Sequence, residues 1–423
     1  MKKLISYTLG LALVALYIAP AQAQLLKNFK ASGQIDLQAY SVLNANNDKT
    51  AYDNQSDILQ RTIVTLDIGL LDDVHGVVTL TKNDRSYGGV AGDNVNSTSD
   101  PLIGTTNGDV ASNIYVDQAY FTIDKVFENF NMKFGRQFFG DPGDLIVYYG
   151  PSAAPSLKTL PVTAVDAVRA DLDTKWFTFT GLGAKVGNTY QGNTNTDITG
   201  FVFGIKDIPY TSALTAYLYD RTIQGNTGVT TADNDLYVYG LKAKGDVQGI
   251  NYFAEIAKND GKNRTARAIY KGSAYRVGAG YSYRGFEGSG EYAVGTGEKA
   301  GGTVESFQAI NSDLRYGYII GGYFGFAGLN DLHVWNLGVN HACPLYSKGK
   351  FEVKYYDLKS DKAAGTLGKN LGTELDLHYR VNHSENVSYG ITYAQFYPGT
   401  AGTNTNGHFT PTTLYGADVQ VRF

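Results

Sequence analysis

The chain runs to 423 residues with 36 Lys and Arg against 40 Asp and Glu, a formal net charge of −4. It is too long for one ordinary soluble domain of roughly 150 residues, and its charge excludes a strongly basic, nucleic-acid-binding surface. Its 50 Gly, 32 Tyr and 20 Phe, with 18% charged beside 43% hydrophobic residues, exclude a disordered or conventionally helical chain, and the lone Cys343 excludes a disulfide framework or a multi-cysteine metal site.

At the N-terminus, Met1-Lys2-Lys3 is a short basic region, Leu4 to Pro20 is mostly apolar, and Ala21-Gln22-Ala23 is a small-x-small cleavage pattern. Together they predict a cleaved signal peptide, residues 1–23, with the mature protein starting at Gln24 and exported. The apolar core is short for a retained membrane helix. No cysteine follows the cleavage pattern, so it is not a lipoprotein signal. Downstream there is no run of about 18 apolar residues that would span a bilayer as a helix.

Beyond this region the sequence alternates with a period of two. Thr62, Val64, Leu66, Ile68 and Leu70 interleave with Arg61, Thr65, Asp67 and Gly69. In Trp176–Val186 both faces carry apolar residues, so a slip of one position would exchange them. Tyr237, Tyr239, Leu241 and Ala243 oppose Gly240, Lys242 and Lys244; Tyr252, Ala254 and Ile256 oppose Asn251 and Glu255; Tyr275, Val277, Ala279 and Tyr281 oppose Arg276, Gly278, Gly280, Ser282 and Arg284. The same pattern returns at Trp335–Asn340, Phe351–Tyr355, Glu374–Arg380, Val387–Tyr393 and Tyr415–Phe423. One face is oily and the other carries charge. Apolar outside and polar inside is what a transmembrane barrel requires, because lipid offers the backbone no hydrogen bonds and closure removes the sheet edges.

The fold class predicted is all-β, a transmembrane antiparallel β-barrel. At about 22 residues per strand and connection, the roughly 400 residues of 24–423 make about 18 strands, with 16 as the alternative, in a single domain. Long outward connections are predicted at Asn44–Gln55, Asp84–Ser112, Gly140–Pro161, Gly187–Asp197, Arg221–Asn234, Thr296–Gly302, Ser360–Gly368 and Pro398–Thr413. Short inner turns are predicted at Asp207-Ile208-Pro209 and Asn382–Asn386.

Gly135-Arg136-Gln137, then Gly140-Asp141-Pro142-Gly143-Asp144-Leu145-Ile146, then Val165-Asp166-Ala167-Val168-Arg169 resemble successive motifs of the alginate-export outer-membrane channel family. Glu291-Tyr292-Ala293, Gly295-Thr296-Gly297-Glu298, Asn336-Leu337, Leu371–Leu377 and Tyr393–Gly399 follow in the family's order. Ala167 stands where the family has Gly, and Pro142 interrupts a Gly-Asp-Gly loop. The resemblance implies an 18-stranded, porin-like channel whose lumen handles anionic polysaccharide.

A channel selects by the charges that line it. Parity places Arg61, Arg169, Lys242, Lys244, Arg276, Arg284, Lys354 and Arg380 inside, together with Asp36, Asp67, Glu255, Glu291, Glu352, Glu374, Asp376 and Asp418. Arg136 and Arg169 flank the Gly140–Pro161 loop, which has the length to fold into the pore, and Arg suits carboxylate ligands through its planar fork. Arg136 shares the parity of Met132 and Phe134, so only a bulge would turn it inward. The same charges are equally readable as ion pairs that hold the barrel round. The six His are dispersed and His378 has no sequence-local Ser, so neither catalysis, a metal nor a cofactor is predicted.

The function predicted is an outer-membrane channel for passive diffusion of small polar solutes or anionic oligo- or polysaccharide. The alternative is a structural barrel, a surface anchor or adhesin; a barrel enzyme ranks below both. The partners expected are outer-membrane lipid, polar or anionic solutes, and a barrel-insertion machinery recognising the strand that ends at Phe423. Nucleic acid is not expected, and the pattern says nothing of oligomeric state.

Overall fold

The alternating segments assemble into one closed wall. The computed structural model describes residues 27–47, 53–86, 114–152, 160–186, 196–224, 234–298, 303–362, 368–401 and 410–423. The signal-peptide region and parts of all the long predicted connections lie outside them. Twenty extended segments form one sheet. Two of these, Ala268–Tyr270 and Thr303–Val304, are short pieces of connections that pair in parallel with each other. The other eighteen are long and antiparallel: β1 (Asn28–Leu43), β2 (Gln55–Gly69), β3 (Val74–Ser86), β4 (Tyr115–Val126), β5 (Phe130–Gln137), β6 (Val165–Asp173), β7 (Phe177–Val186), β8 (Thr196–Ile205), β9 (Thr211–Ile223), β10 (Asn234–Val247), β11 (Ile250–Asn263), β12 (Ser273–Tyr283), β13 (Phe286–Gly295), β14 (Leu332–Ala342), β15 (Gly349–Lys359), β16 (Asn370–Asn382), β17 (Val387–Pro398) and β18 (Thr412–Arg422). Each pairs with its neighbours in chain order, and β18 returns to β1 from Gln34↔Arg422 to Leu43↔Thr413. The expected antiparallel barrel of about 18 strands is borne out.

Connections from even to odd strands are short and those from odd to even strands are long. Gln248-Gly249 and Arg284-Gly285 each take positive φ at both positions, the geometry of a two-residue turn that matches strand twist. The predicted short turns after β8 and β16 sit at this same end. One boundary differs from expectation. The connection after β13 does not stop near residue 302 but runs to Asp331, and it includes a π-helical turn, Gly317–Tyr323.

Outward positions carry Phe201, Phe203, Leu241, Trp335, Leu337, Ile391 and Val419, all exposed. In a bilayer they would face lipid. The inward face is not uniformly polar. Toward the long-connection end it turns apolar, with Val42, Leu182, Ile198, Leu236, Val238, Leu358, Phe396 and Leu414 buried. These pack against Leu145, Ile146, Val147, Phe307, Leu314 and Ile319 of two infolded connections, so the hydrophobic core lies inside the barrel. This resolves the ambiguity of β7: Phe177 and Phe179 stack outside on Phe203 and Phe201, while Leu182 and Ala184 join that core.

Candidate functional site

The described parts of two connections, 138–164 and 296–331, meet inside the lumen. Val147 and Asn311 form an isolated parallel bridge, and the N–H groups of Ile310 and Asn311 each donate to the Ile146 carbonyl at 3.0 Å. Asp144 organises the first loop. Its Oδ1 accepts the N–H groups of Ile146 at 2.7 Å and Val147 at 3.2 Å, and its Oδ2 accepts Lys242 Nζ of β10 at 3.0 Å. Gly140 is needed where the loop doubles back: its φ is +84°, and a Cβ there would lie 2.1 Å from the Val147 carbonyl oxygen. The Gly143 N–H donates to Asp313 of the second loop at 3.0 Å. Burial pushes the Asp313 carboxyl above its ordinary range, outweighing that hydrogen bond and nearby Arg315.

Both loops are tied to the wall by polar groups. Arg61 of β2 pairs with Asp36 of β1 at 2.7 Å and donates onward to the carbonyls of Ser152 and Pro161. Tyr316 donates its hydroxyl to Glu291 of β13 at 2.8 Å. Glu291 also pairs with Arg276 at 2.9 Å and accepts Asn336 Nδ2 at 2.9 Å.

Beside this bridge lie three lumenal cavities. One of about 540 Å³ is lined by Lys244, Glu291, Arg315, Tyr316 and Lys354 among others. One of about 470 Å³ is lined by Asp36, Arg61, Lys350, Glu352, His378, Arg380, Asp418 and Arg422. One of about 300 Å³ is lined by Asp141, Asp144, Arg169, Tyr217, Lys242 and Lys244. Across the three, nine Lys and Arg line space against six Asp and Glu. These three cavities therefore carry a small excess of basic side chains, most of them paired with a carboxylate.

Of the candidate lining residues, Arg61, Arg169, Lys242, Lys244, Lys354 and Arg380 lie on these cavities. Arg276 faces inward but is held between Glu255 and Glu291, its side chain 13% exposed. Glu374 and Asp376 face inward yet are covered by the Gly317–Tyr323 turn. Two placements need correction. Arg136 lies outside the lumen: β5 carries no bulge at that point, and Arg136 meets Asp166 on the outer face at 3.5 Å. Arg284 lies outside it too, because β12 ends at Tyr283 and Arg284, at φ +50°, forms the turn with its guanidinium over the Tyr283 ring. The roles of Asp144 and Tyr316 are not legible in the sequence. The only local signal for the loop residues is a long connection rich in Gly and Asp.

No protein-family model matches the chain, and no curated protein matches it. Solved structures do. OccAB1 of Acinetobacter baumannii aligns at a TM-score of 0.62 and 10% identity, over 95% of this chain and 99% of that one. OpdQ of Pseudomonas aeruginosa aligns at 0.59 and 11%, over 95% and 99%. The outer membrane protein OprD of Pseudomonas aeruginosa aligns at 0.56 and 12%, over 94% and 95%. The chain has the fold of these barrels. The likeness is one of barrel fold, and it lends no support to the alginate-export family. The motifs behind that expectation serve the local structure here: Gly135, at φ +119°, would put a Cβ 2.3 Å from the Ala119 carbonyl oxygen, and buried Gln137 donates to the carbonyls of Gly135 and Ala167.

Proposed function

We propose that the protein is a passive outer-membrane channel for small polar solutes, with a preference for anions. The observation that carries this reading is the basic lining of the lumenal cavities beside two infolded loops. In such a lumen Arg169, Lys242 and Lys244 on one wall and Arg380 on another would attract a carboxylate-bearing solute, and the Arg forks would orient it. Arg169 and Arg380, whose partners Asp171 and Asp418 lie on the wall and not on the loops, favour entry without holding the solute long enough to stop flow. The signal-peptide pattern supports export, and the terminal strand ending at Phe423 is the segment an insertion machinery would read. Catalysis is not part of this reading.

Planar-bilayer recording of the purified full-length protein under a salt gradient tests it. We expect steady conductance with anion preference, and block by oligo-uronates if anionic polysaccharide enters. Arg169→Glu and Arg380→Glu should each move selectivity toward cations; unchanged selectivity in both would remove these residues from the pathway. The loops packed across the lumen favour one second reading, a structural barrel, which absence of conductance would support.

A further inference from the structure

Within the lumen, one pair of carboxyl groups is placed neither to meet solute nor, among the described residues, to form an ion pair with a Lys or Arg. Glu374 and Asp376, two positions apart on the inner face of β16, are 0% and 3% exposed. Lys354, opposite Asp376 in the register, is engaged by Glu352 at 2.7 Å. Both carboxylates instead accept backbone N–H groups from one turn. Ile319 donates to Glu374 Oε1 at 2.6 Å, Ile320 to Glu374 Oε2 at 2.9 Å, and Tyr318 to Asp376 Oδ2 at 3.1 Å. Successive N–H groups aimed at an anion form a nest, and hydrogen bonds to an ionised acceptor are among the stronger ones. Here the nest belongs to the lumenal turn and the acceptor oxygens belong to the wall.

The turn is shaped for this contact. Gly317 has φ +78°, and a Cβ on it would sit 2.5 Å from the Glu374 carboxyl group, so a side chain would lift the turn off the wall. Arg315 donates to the Gly321 carbonyl at 2.9 Å, which closes the turn on itself. Its two ends reach other strands, Tyr316 to Glu291 of β13 and Tyr323 to Gln55 at the start of β2, at 2.8 and 2.5 Å. A segment so anchored crosses part of the lumen. Without the N–H donors the buried oxygens of both carboxyl groups would lose these partners at a cost, so turn and wall hold each other.

We propose that Glu374 and Asp376 form a carboxylate latch that holds the Gly317–Tyr323 turn in the lumen and thereby sets the width of the conducting path. The proposal rests on the channel reading above. The two residues are positioning residues: they act on permeation through the turn and do not touch solute.

The test uses the full-length protein in planar bilayers, with trypsin cleavage after Arg315 as a readout independent of current. Glu374→Leu combined with Asp376→Ala removes every acceptor oxygen that the three N–H groups use. Gly317→Ala breaks the same contact from the turn and leaves every wall charge in place. We expect each to raise single-channel conductance about twofold or more and to expose Arg315 to trypsin, while a heat-modifiable band on gels shows the barrel intact. All three changes together should do no more than either set alone, because they remove one shared contact. Wild-type conductance and protection in Gly317→Ala would overturn the latch, and that variant decides alone if the double variant fails to fold. A wild-type protein that carries no current would overturn the channel reading, and the trypsin pattern would still decide the latch.

Discussion

Asp36 and Arg61 show what a pore-lining charge becomes once the chain is folded. Their side chains are 9% and 5% exposed, Gln34 and Gln420 also donate to Asp36, and Arg61 reaches two carbonyls of an infolded loop. Asp36→Ala would leave the guanidinium buried without its counter-charge and should cost about 3–5 kcal/mol, read as a lower denaturant midpoint in detergent. Lys27→Ala, whose partner Asp72 is 91% exposed, should leave that midpoint unchanged. The inward direction of Arg61 is readable from alternation in β2. Its neutralisation is not, because the partner sits on the neighbouring strand and the capping carbonyls lie about a hundred residues away. Arg284 shows the converse error: it continues the parity of β12 past the point where two positive φ angles end the strand.

Among the elements, the strands are legible in the sequence and the lumenal loops are not. A strand advertises itself by a period of two that holds over about ten residues. Residues 303–331 offer no such period: they mix extended, irregular and π-helical backbone, and their anchors are side chains of distant strands. The outer loops follow the same logic on a smaller scale. Partial burial raises the Asp361 carboxyl, but the Gly297 N–H, Lys362 and His333 outweigh that and hold it at about 2. Because this lies below the roughly 3.9 of an unfolded Asp, its contribution is complete above about pH 4 and is lost as pH falls through about 2. Hydrogen exchange across 296–298 and 360–362 should therefore stay slow from about pH 7 to 4 and quicken only below. Quickening well above pH 4 would show that the contact does not depend on the ionised Asp361 carboxylate.

For the molecule as a whole, closure is the decisive contact. Gly33 and Phe423 exchange backbone hydrogen bonds of 2.8 and 3.0 Å at the seam between β1 and the end of the chain, and a Cβ on Gly33 would lie 2.4 Å from the Phe423 ring. Gly33→Val should wedge that seam and cost about 1–3 kcal/mol, seen as loss of the heat-modifiable band at a lower temperature; an unchanged transition would show that the seam tolerates the added bulk. Local pattern is enough to establish the barrel, its approximate strand number, which face of most strands looks outward and which end carries the long connections. Those properties follow from a period of two and from the bilayer's demand that every backbone polar group be paired within the wall. Folding in three dimensions settles the rest: that two loops turn inward, that an apolar core fills part of the lumen, and which of the inward charges remain open to solute. These depend on pairings between residues far apart in the chain, such as Asp144 with Lys242 and Glu374 with Ile319, and a residue's own neighbours carry no record of them.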